Sequence, residues 1–261
     1  GKVIDEVDVF WPRIIKYPHD QEQFKMELAG QPITELKRKG KYLIIGIGDM
    51  AELVVHFRMT GKFKRLTPDK RFDKHIHLFI HFQDDPEGLA YHDVRKFGDL
   101  FLVPKGDYRP IKGLYFSGVD PLSATFTYQL FYTLLKERKR QIKALLLDQR
   151  VIAGLGKYLC DEILWFPGEK GVHPTRLSDG LTEREMEGIY ERMLSVINQS
   201  IELGGNSFRD FSYGDGIKGA FRKMLKVYGR EGEPCFNCGT PIKREKIAGR
   251  STHFCPRCQP G

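Results

Sequence analysis

The chain has 261 residues, 41% of them hydrophobic, enough to bury a proper core, most naturally as two domains plus a small appendage. Its formal net charge of +8 favours a polyanionic partner. No stretch approaches the roughly 18–20 uncharged apolar residues of a membrane span, which excludes that class, and the first residues carry neither a secretory apolar region nor an Arg-rich transit pattern, so the chain reads as an intracellular, cytoplasmic protein.

Residues 1 to about 115 read as strands. Lys41 to Ile47 alternates with Leu43, Ile45 and Ile47 on one face, and Ile76, Leu78, Ile80 and Phe82 alternate against His75, His77, Phe79 and His81. Short strands with Gly, Asp and Pro turns between them predict a β-sandwich or barrel. From about residue 120 the period becomes helical, first in Tyr128 to Lys139, then in Gln141 to Asp148. A short helix around Tyr158 to Phe166 follows, and an extended turn before it can aim backbone amides at a phosphate. A long helix opens at Thr182, which with Glu185 makes a capping box, and carries Met186, Ile189, Met193, Ile197 and Ile201 on one stripe until Gly204-Gly205 stops it. After a Gly-rich loop, Tyr213 to Gly219, the tail from about Lys223 to Cys258 alternates like a hairpin.

Four of the five cysteines fall in this tail, as Cys235-x2-Cys238 and Cys255-x2-Cys258; Cys160 stands alone. This is the two-knuckle spacing of a structural zinc ribbon, and four thiolates leave the metal no open position for catalysis. The competing reading, two disulfides in a secreted module, needs an oxidising compartment. Lys243, Arg244, Lys246 and Arg250 make the hairpin between the knuckles strongly basic, suited to a nucleic-acid groove, although zinc ribbons also dock proteins.

Other fragments are weaker alone. His92-Asp93-Val94-Arg95-Lys96-Phe97-Gly98 places two cations beside an aromatic in a turn, as a wedge into a base stack requires, although a basic turn over a core Phe is commoner. Met59 is by default a core methionine, and Lys136-Glu137-Arg138-Lys139-Arg140 with Lys143 a solvated helix face that would also suit phosphates. His75, His77 and His81 share a strand face, but no acidic partner is placed to complete a metal site, so His75 is read as facing solvent or DNA.

Taken in order, these pieces resemble the formamidopyrimidine-DNA glycosylase family. The resemblance rests on Lys41 in Arg38-Lys39-Gly40-Lys41-Tyr42, Met59-Thr60-Gly61, His75, the Asp93 to Gly98 turn, Gly118-Val119-Asp120-Pro121-Leu122 and Ile142-Lys143-Ala144. Ala153-Gly154-Leu155-Gly156, Gly204-Gly205, Val227-Tyr228-Gly229-Arg230, Gly239-Thr240-Pro241-Ile242 and Ala248 to Cys255 extend it over essentially the whole chain.

The resemblance implies an α+β multidomain protein: a β-sandwich over 1–115, a helix-two-turn-helix DNA-binding domain over 116–222 and a zinc-finger hairpin over 223–261, with DNA in a basic cleft between them. It implies excision of oxidised purines with strand nicking at the abasic site, one structural Zn2+ on Cys235, Cys238, Cys255 and Cys258, and a monomer acting on duplex DNA that holds a damaged base or abasic site. Met59, Arg95 and Phe97 are similar to the residues that fill the gap left by an everted nucleotide, Phe97 as wedge and Arg95 pairing with the orphaned base. Lys41 and Arg250 match residues credited with the elimination chemistry. His75, Arg138 and Lys143 fall at or beside backbone contacts, and Phe211 to Phe221 corresponds to the loop that covers the flipped base.

Two departures touch the chemistry. The family's N-terminal proline, whose amine attacks the sugar C1′, and the glutamate after it are not in this sequence, which starts Gly1-Lys2-Val3, so the chain as given is expected to lack the nucleophile and to have lost an upstream segment. Gly156-Lys157-Tyr158-Leu159 stands where the family has Gly-Asn-Ile-Tyr; Lys157 reaches a phosphate as a point charge without the planar amide. The alternatives are a related glycosylase for oxidised pyrimidines, a non-catalytic binder of damaged DNA, and a zinc-ribbon transcription or docking factor.

Overall fold

Strand alternation and two helix-forming stretches account for the first part of the chain. A computed structural model describes residues 1–205 and 220–261, and in it the chain divides into two compact units, Gly1–Phe116 and the described residues from Ser117 onward. The first unit runs β1 (Ile4–Val9), β2 (Ile15–Tyr17), α1 (Gln21–Leu28), β3 (Ile33–Lys39), β4 (Tyr42–Ile47), β5 (Ala51–His56), β6 (Lys62–Leu66), β7 (Ile76–Phe82), β8 (Asp85–His92), β9 (Asp99–Pro104) and α2 (Lys112–Tyr115).

Two sheets form, β1-β7-β8-β6 and β2-β9-β5-β4-β3. All neighbours run antiparallel except β2 beside β9. Ile4, Val7, Leu78, Ile80 and Tyr91 of the first sheet meet Ile45, Ile47, Leu53, Val55, Leu100 and Leu102 of the second in one buried cluster, which makes the unit a β-sandwich. The five-stranded sheet is covered outside as well: Ile44, Val54 and Val103 pack under Ile111 and Leu114, so β4 reads as a near-continuous apolar run.

Strand reading missed α1. Asp20 caps it, accepting from the Glu22 and Gln23 amides at 2.8 and 3.4 Å, and Phe24 and Leu28, one turn apart, bury its inner face in the sandwich core.

The second unit contains α3 (Tyr128–Lys136), α4 (Ile142–Leu147), α5 (Lys157–Leu164), α6 (Glu183–Glu202), β10 (Lys243–Ile247) and β11 (Arg250–Phe254). Its core gathers Phe131, Leu135, Ile142, Leu146, Ile163, Met186, Ile189 and Met193. The capping box at Thr182 and Glu185 is formed. The buried stripe of α6 runs Met186, Ile189, Met193, Val196 and Ser200 in alternating steps of three and four; Ile197 flanks it, partly buried against the same core, and Ile201 lies about 100° round from it and is exposed. Gly204 and Gly205 end the helix with φ of +67° and +72°. β10 and β11 pair antiparallel from Lys243 opposite Phe254 to Ile247 opposite Arg250. No helix of the described residues is long and apolar enough to cross a membrane.

Phe24→Ala should destabilise the protein by about 3–5 kcal/mol, since its ring is wholly buried against both sheets. Urea unfolding measures it, and a loss below about 1 kcal/mol would make α1 peripheral to the core.

Candidate nucleic-acid interface

In the first unit two loops meet over one carboxylate. Asp93, which has no solvent exposure, accepts from the Arg95, Phe97 and Gly98 amides at 3.1, 2.9 and 2.9 Å and from the Thr60 hydroxyl. Burial pushes its carboxyl up, but Thr60 and the three amides outweigh this and hold it below the usual carboxylate range. The 93–98 turn is thereby tied to the 57–61 turn. His77, buried beneath, donates from Nε2 to the Asp93 carbonyl at 2.6 Å.

Both turns close on the Tyr91 hydroxyl. A Cβ at Gly61 would lie 2.2 Å from that oxygen and one at Gly98 1.8 Å, so neither position tolerates a side chain. Arg58 and Lys96 take left-handed conformations, φ +53° and +57°, without being glycine. Out of this frame project Met59, 61% exposed, and Phe97, 54% exposed, with Arg95 Nη1 3.1 Å from the Met59 sulfur and its guanidinium 5.7 Å from the Phe97 ring centre. The structure thus brings Met59 together with Arg95, 36 positions away in the sequence, and with its near neighbour Phe97.

Lys41 is exposed at the turn between β3 and β4, next to Gly40 with φ +57°. Behind it the β4–β5 pairing sets Tyr42 against His56, rings 4.7 Å apart. Burial, with the Arg58 charge next and Lys41 contributing, depresses His56 to about 4. Its neutral Nδ1 accepts the Arg58 amide at 3.0 Å, and the Arg58 guanidinium grips Asp99 at 2.6 and 2.8 Å. His75 is half-buried, its ring 5.7 Å from that of His92. On the three-histidine face, His77 and His81 are occupied by the Asp93 carbonyl and the Asp8 carboxylate.

In the second unit the extended double turn between α4 and α5 is stapled by Gln149. Its side chain donates to the Leu147 and Leu155 carbonyls at 3.0 and 2.9 Å and accepts the Gly154 amide at 2.9 Å, where Gly154 has φ +95°. α5 then starts after Gly156, which gives it no side-chain cap. Lys157, exposed at this start, holds its ammonium 5.7 Å from the Tyr228 ring. Arg138 is half-buried and donates to the Leu134 carbonyl at 2.5 Å, closing the end of α3.

Lys143 requires a correction. Expected among the backbone-contacting cations, it is 0% exposed and donates at 2.5 Å both to Asp161 and to the Thr252 hydroxyl. An ammonium in the interior must be paired, and this one joins α4 to α5 and to β11, so it is not placed to meet a phosphate. The other oxygen of Asp161 accepts the His253 amide at 2.9 Å. The next residue, Glu162, accepts the Lys226, Val227 and Tyr228 amides at 2.8, 2.9 and 2.8 Å; burial raises its pKa despite these donors.

The four Sγ atoms of Cys235, Cys238, Cys255 and Cys258 lie within 4.8 Å of one another, with Cys235–Cys258 at 3.9 Å and Cys238–Cys255 at 3.5 Å. A zinc tetrahedron with Zn–S of about 2.3 Å has edges of about 3.8 Å, so the donor set fits one structural Zn2+. Gln259 braces the knuckle, accepting the Cys255 amide at 3.0 Å and donating to the Leu164 and Val172 carbonyls at 3.0 and 3.1 Å. Arg250 is exposed just past the hairpin tip, where Ala248 and Gly249 have φ of +51° and +72°.

Asp93, Gln149, Asp161 and Glu162 were not singled out by sequence reasoning. Asp93 alone left a signal, an acid followed by amides that can fold back onto it. Of the segment Phe211 to Phe221, positions up to 219 lie outside the described residues; Phe221 is buried in the helical core.

Three family models match: the formamidopyrimidine-DNA glycosylase N-terminal domain over residues 1–100, its H2TH domain over 117–212, and a zinc finger found in FPG and IleRS over 232–261. A formamidopyrimidine-DNA glycosylase of Bacillus cereus is 40% identical over 260 residues, covering 100% of this chain and 92% of the relative. A Lactococcus lactis Fpg in complex with abasic-site DNA superposes with a TM-score of 0.90 at 36% identity, covering 100% of this chain and 93% of that one. The same protein bound to DNA with an oxidised pyrimidine gives 0.88 at 36% identity and the same coverage.

Asp93→Asn should cost at least about 2 kcal/mol, because the new amide opposes N–H groups that a carboxylate accepts. Hydrogen exchange should quicken at Arg95, Phe97 and Gly98; unchanged protection there would remove Asp93 as the organiser. Chelating zinc should unfold the 235–258 hairpin and leave the sandwich intact, read by amide spectra before and after. A hairpin that keeps its dispersion without metal would contradict a structural zinc.

Proposed function

The chain belongs to the formamidopyrimidine-DNA glycosylase family and is a base-excision repair DNA glycosylase; on that premise we propose that it excises oxidised purines, 8-oxoguanine and formamidopyrimidines, from duplex DNA and then nicks the strand as an AP lyase. The observation that carries this reading is the exposed trio Met59, Arg95 and Phe97 on a frame that Asp93 holds rigid. Leaving two large apolar side chains in water and two residues at positive φ is costly to a folded protein, and it is repaid where a base leaves the stack and the gap must be filled.

In this reading Phe97 wedges the stack, Arg95 offers its fork to the base left without a partner, and Met59 fills the remaining space. Lys41, beside a His56 kept neutral, and Arg250 at the hairpin tip supply cations to the phosphates at the lesion and to the elimination step. His75 and Arg138 meet the backbone, Arg138 with what its guanidinium has left after Leu134. Lys157 and the uncapped amides of α5 take a phosphate together, the helix dipole favouring the anion. Zinc, with all four positions taken by thiolates, shapes the hairpin and has no reacting position. The protein acts as a monomer. Oxidised pyrimidines are the second substrate class, because the Lactococcus lactis neighbour has been captured with such DNA.

A panel of duplexes carrying 8-oxoguanine, a formamidopyrimidine, an oxidised pyrimidine, an abasic site or no lesion, assayed for binding and strand cleavage, tests the reading. Arg95→Ala and Phe97→Ala should each weaken abasic-site binding at least about tenfold while intact-duplex binding changes little, since only the distorted complex uses the wedge. Equal losses on both DNAs would reduce these residues to general contacts, and affinity that does not fall with added salt would argue against phosphate recognition altogether.

A further inference from the structure

Beside the 93–98 turn, Phe10, Trp11, Arg71, Phe72, Lys74 and Lys96 line a recess of about 250 Å3 in the first unit. Buried Ile76 and His77 also line it. Phe72 is 71% exposed and Phe10 40%, their rings inclined at 59° with centres 6.3 Å apart. Lys96 Nζ lies 3.9 Å from the Trp11 ring centre and the Arg71 guanidinium 4.4 Å from that of Phe72. The one carboxylate in the lining, Asp73, already accepts the His75 amide at 2.8 Å, and Arg71 is paired with Asp8 at 3.0 Å, which leaves Lys74 and Lys96 as the cations turned to a ligand.

This chemistry differs from that of a hydrophobic protein-docking patch. Aromatic faces with cations beside them are what a nucleobase and its phosphate require, one stacking and the other neutralised, with no hydrogen-bond code to read. The volume lies below the roughly 300–1,000 Å3 of sites for drug-sized ligands, which suits a single ring system. The recess is also joined to the wedge. Lys96, forced to φ +57°, sits between Arg95 and Phe97 in sequence but lies over Trp11, and His77 carries the Asp93 carbonyl.

We propose that this recess is a second base-stacking site, which takes an unpaired nucleobase from a single-stranded stretch of DNA next to the bound duplex, its ring against Phe10 and Phe72 and its phosphate against Lys74 and Lys96. The proposal rests on the reading of the chain as a DNA-binding glycosylase. It assigns a function to aromatic residues that the lesion trio leaves unused, and it gives the enzyme a grip on frayed or tailed DNA.

The test compares an abasic-site duplex with blunt ends against the same duplex carrying a short oligothymidylate tail, by fluorescence anisotropy. The tail should raise the affinity of the unaltered protein by at least about fivefold. Phe72→Ala and the double variant Phe10→Ala/Phe72→Ala should abolish that gain while blunt-duplex affinity stays within about twofold, and Phe72→Trp should retain it. Phe72 is exposed, so its truncation leaves the fold in place, and thermal unfolding of each variant confirms this. A tail that adds nothing, or a Phe72→Ala loss equal on blunt and tailed DNA, overturns the proposal. The same pair of DNAs without the abasic site separates the two readings: indifference to the lesion would defeat the glycosylase assignment, whereas the tail-dependent gain would still report on the recess.

Discussion

A carboxylate buried away from water must be met by donors, and in this protein three of them are met by groups distant in the chain, two of them by the backbone of loops that would otherwise have no fixed shape. Asp93 gathers three amides and a hydroxyl, Asp161 an ammonium and an amide, Glu162 three amides in succession. Leaving any of them unpaired would cost several kcal/mol, about 3–5 for a broken buried ion pair, so the donors have little choice of position. Arg95 and Phe97 are mounted on the loop that Asp93 holds, and Tyr228 on the one that Glu162 holds. The backbone placement of these residues therefore derives from interior acids.

The same logic sets where strain is found. Arg58, Lys96 and Ala248 are the non-glycine residues at positive φ among those described, one in each turn that presents a wedge or hairpin cation. Such conformations persist only where the surroundings over-determine them. At Arg58 the Asp99 fork and the His56 acceptor do so, and at Lys96 the Asp93 amide net on either side. At Ala248 the two-residue tip between paired strands has a twist that requires it.

Much of the architecture was legible in the sequence because it rests on local rules. The zinc knuckle follows from thiol spacing, the start of α6 from the Thr182–Glu185 box, its end from Gly204-Gly205, and the sandwich from alternation in β4 and β7. What was not legible rests on partners distant in the chain. Asp93 and Thr60 are 33 residues apart and Lys143 and Thr252 109, and no periodicity announces such pairs. α1 is a different kind of omission: its cap and its Phe24–Leu28 pair were visible, but eight residues between strands were read with the strands.

Lys143 and Lys157 show why charge along a sequence cannot be equated with charge toward a ligand. Both lie in or beside the helix pair that presents the double turn, and both resemble phosphate-binding positions. Lys143 is withdrawn entirely into the Asp161–Thr252 pairing, its charge spent on joining three elements. Lys157 is exposed at the first turn of α5, where the helix dipole disfavours a cation by itself. The Tyr228 ring face 5.7 Å away, held by the Glu162 amide bonds, offsets part of that penalty. A cation kept at a helix start against its dipole gains most when an anion arrives to share the amides with it, so under the proposed function Lys157, standing where the family has Asn, is expected to take a phosphate through charge in place of a shaped hydrogen bond.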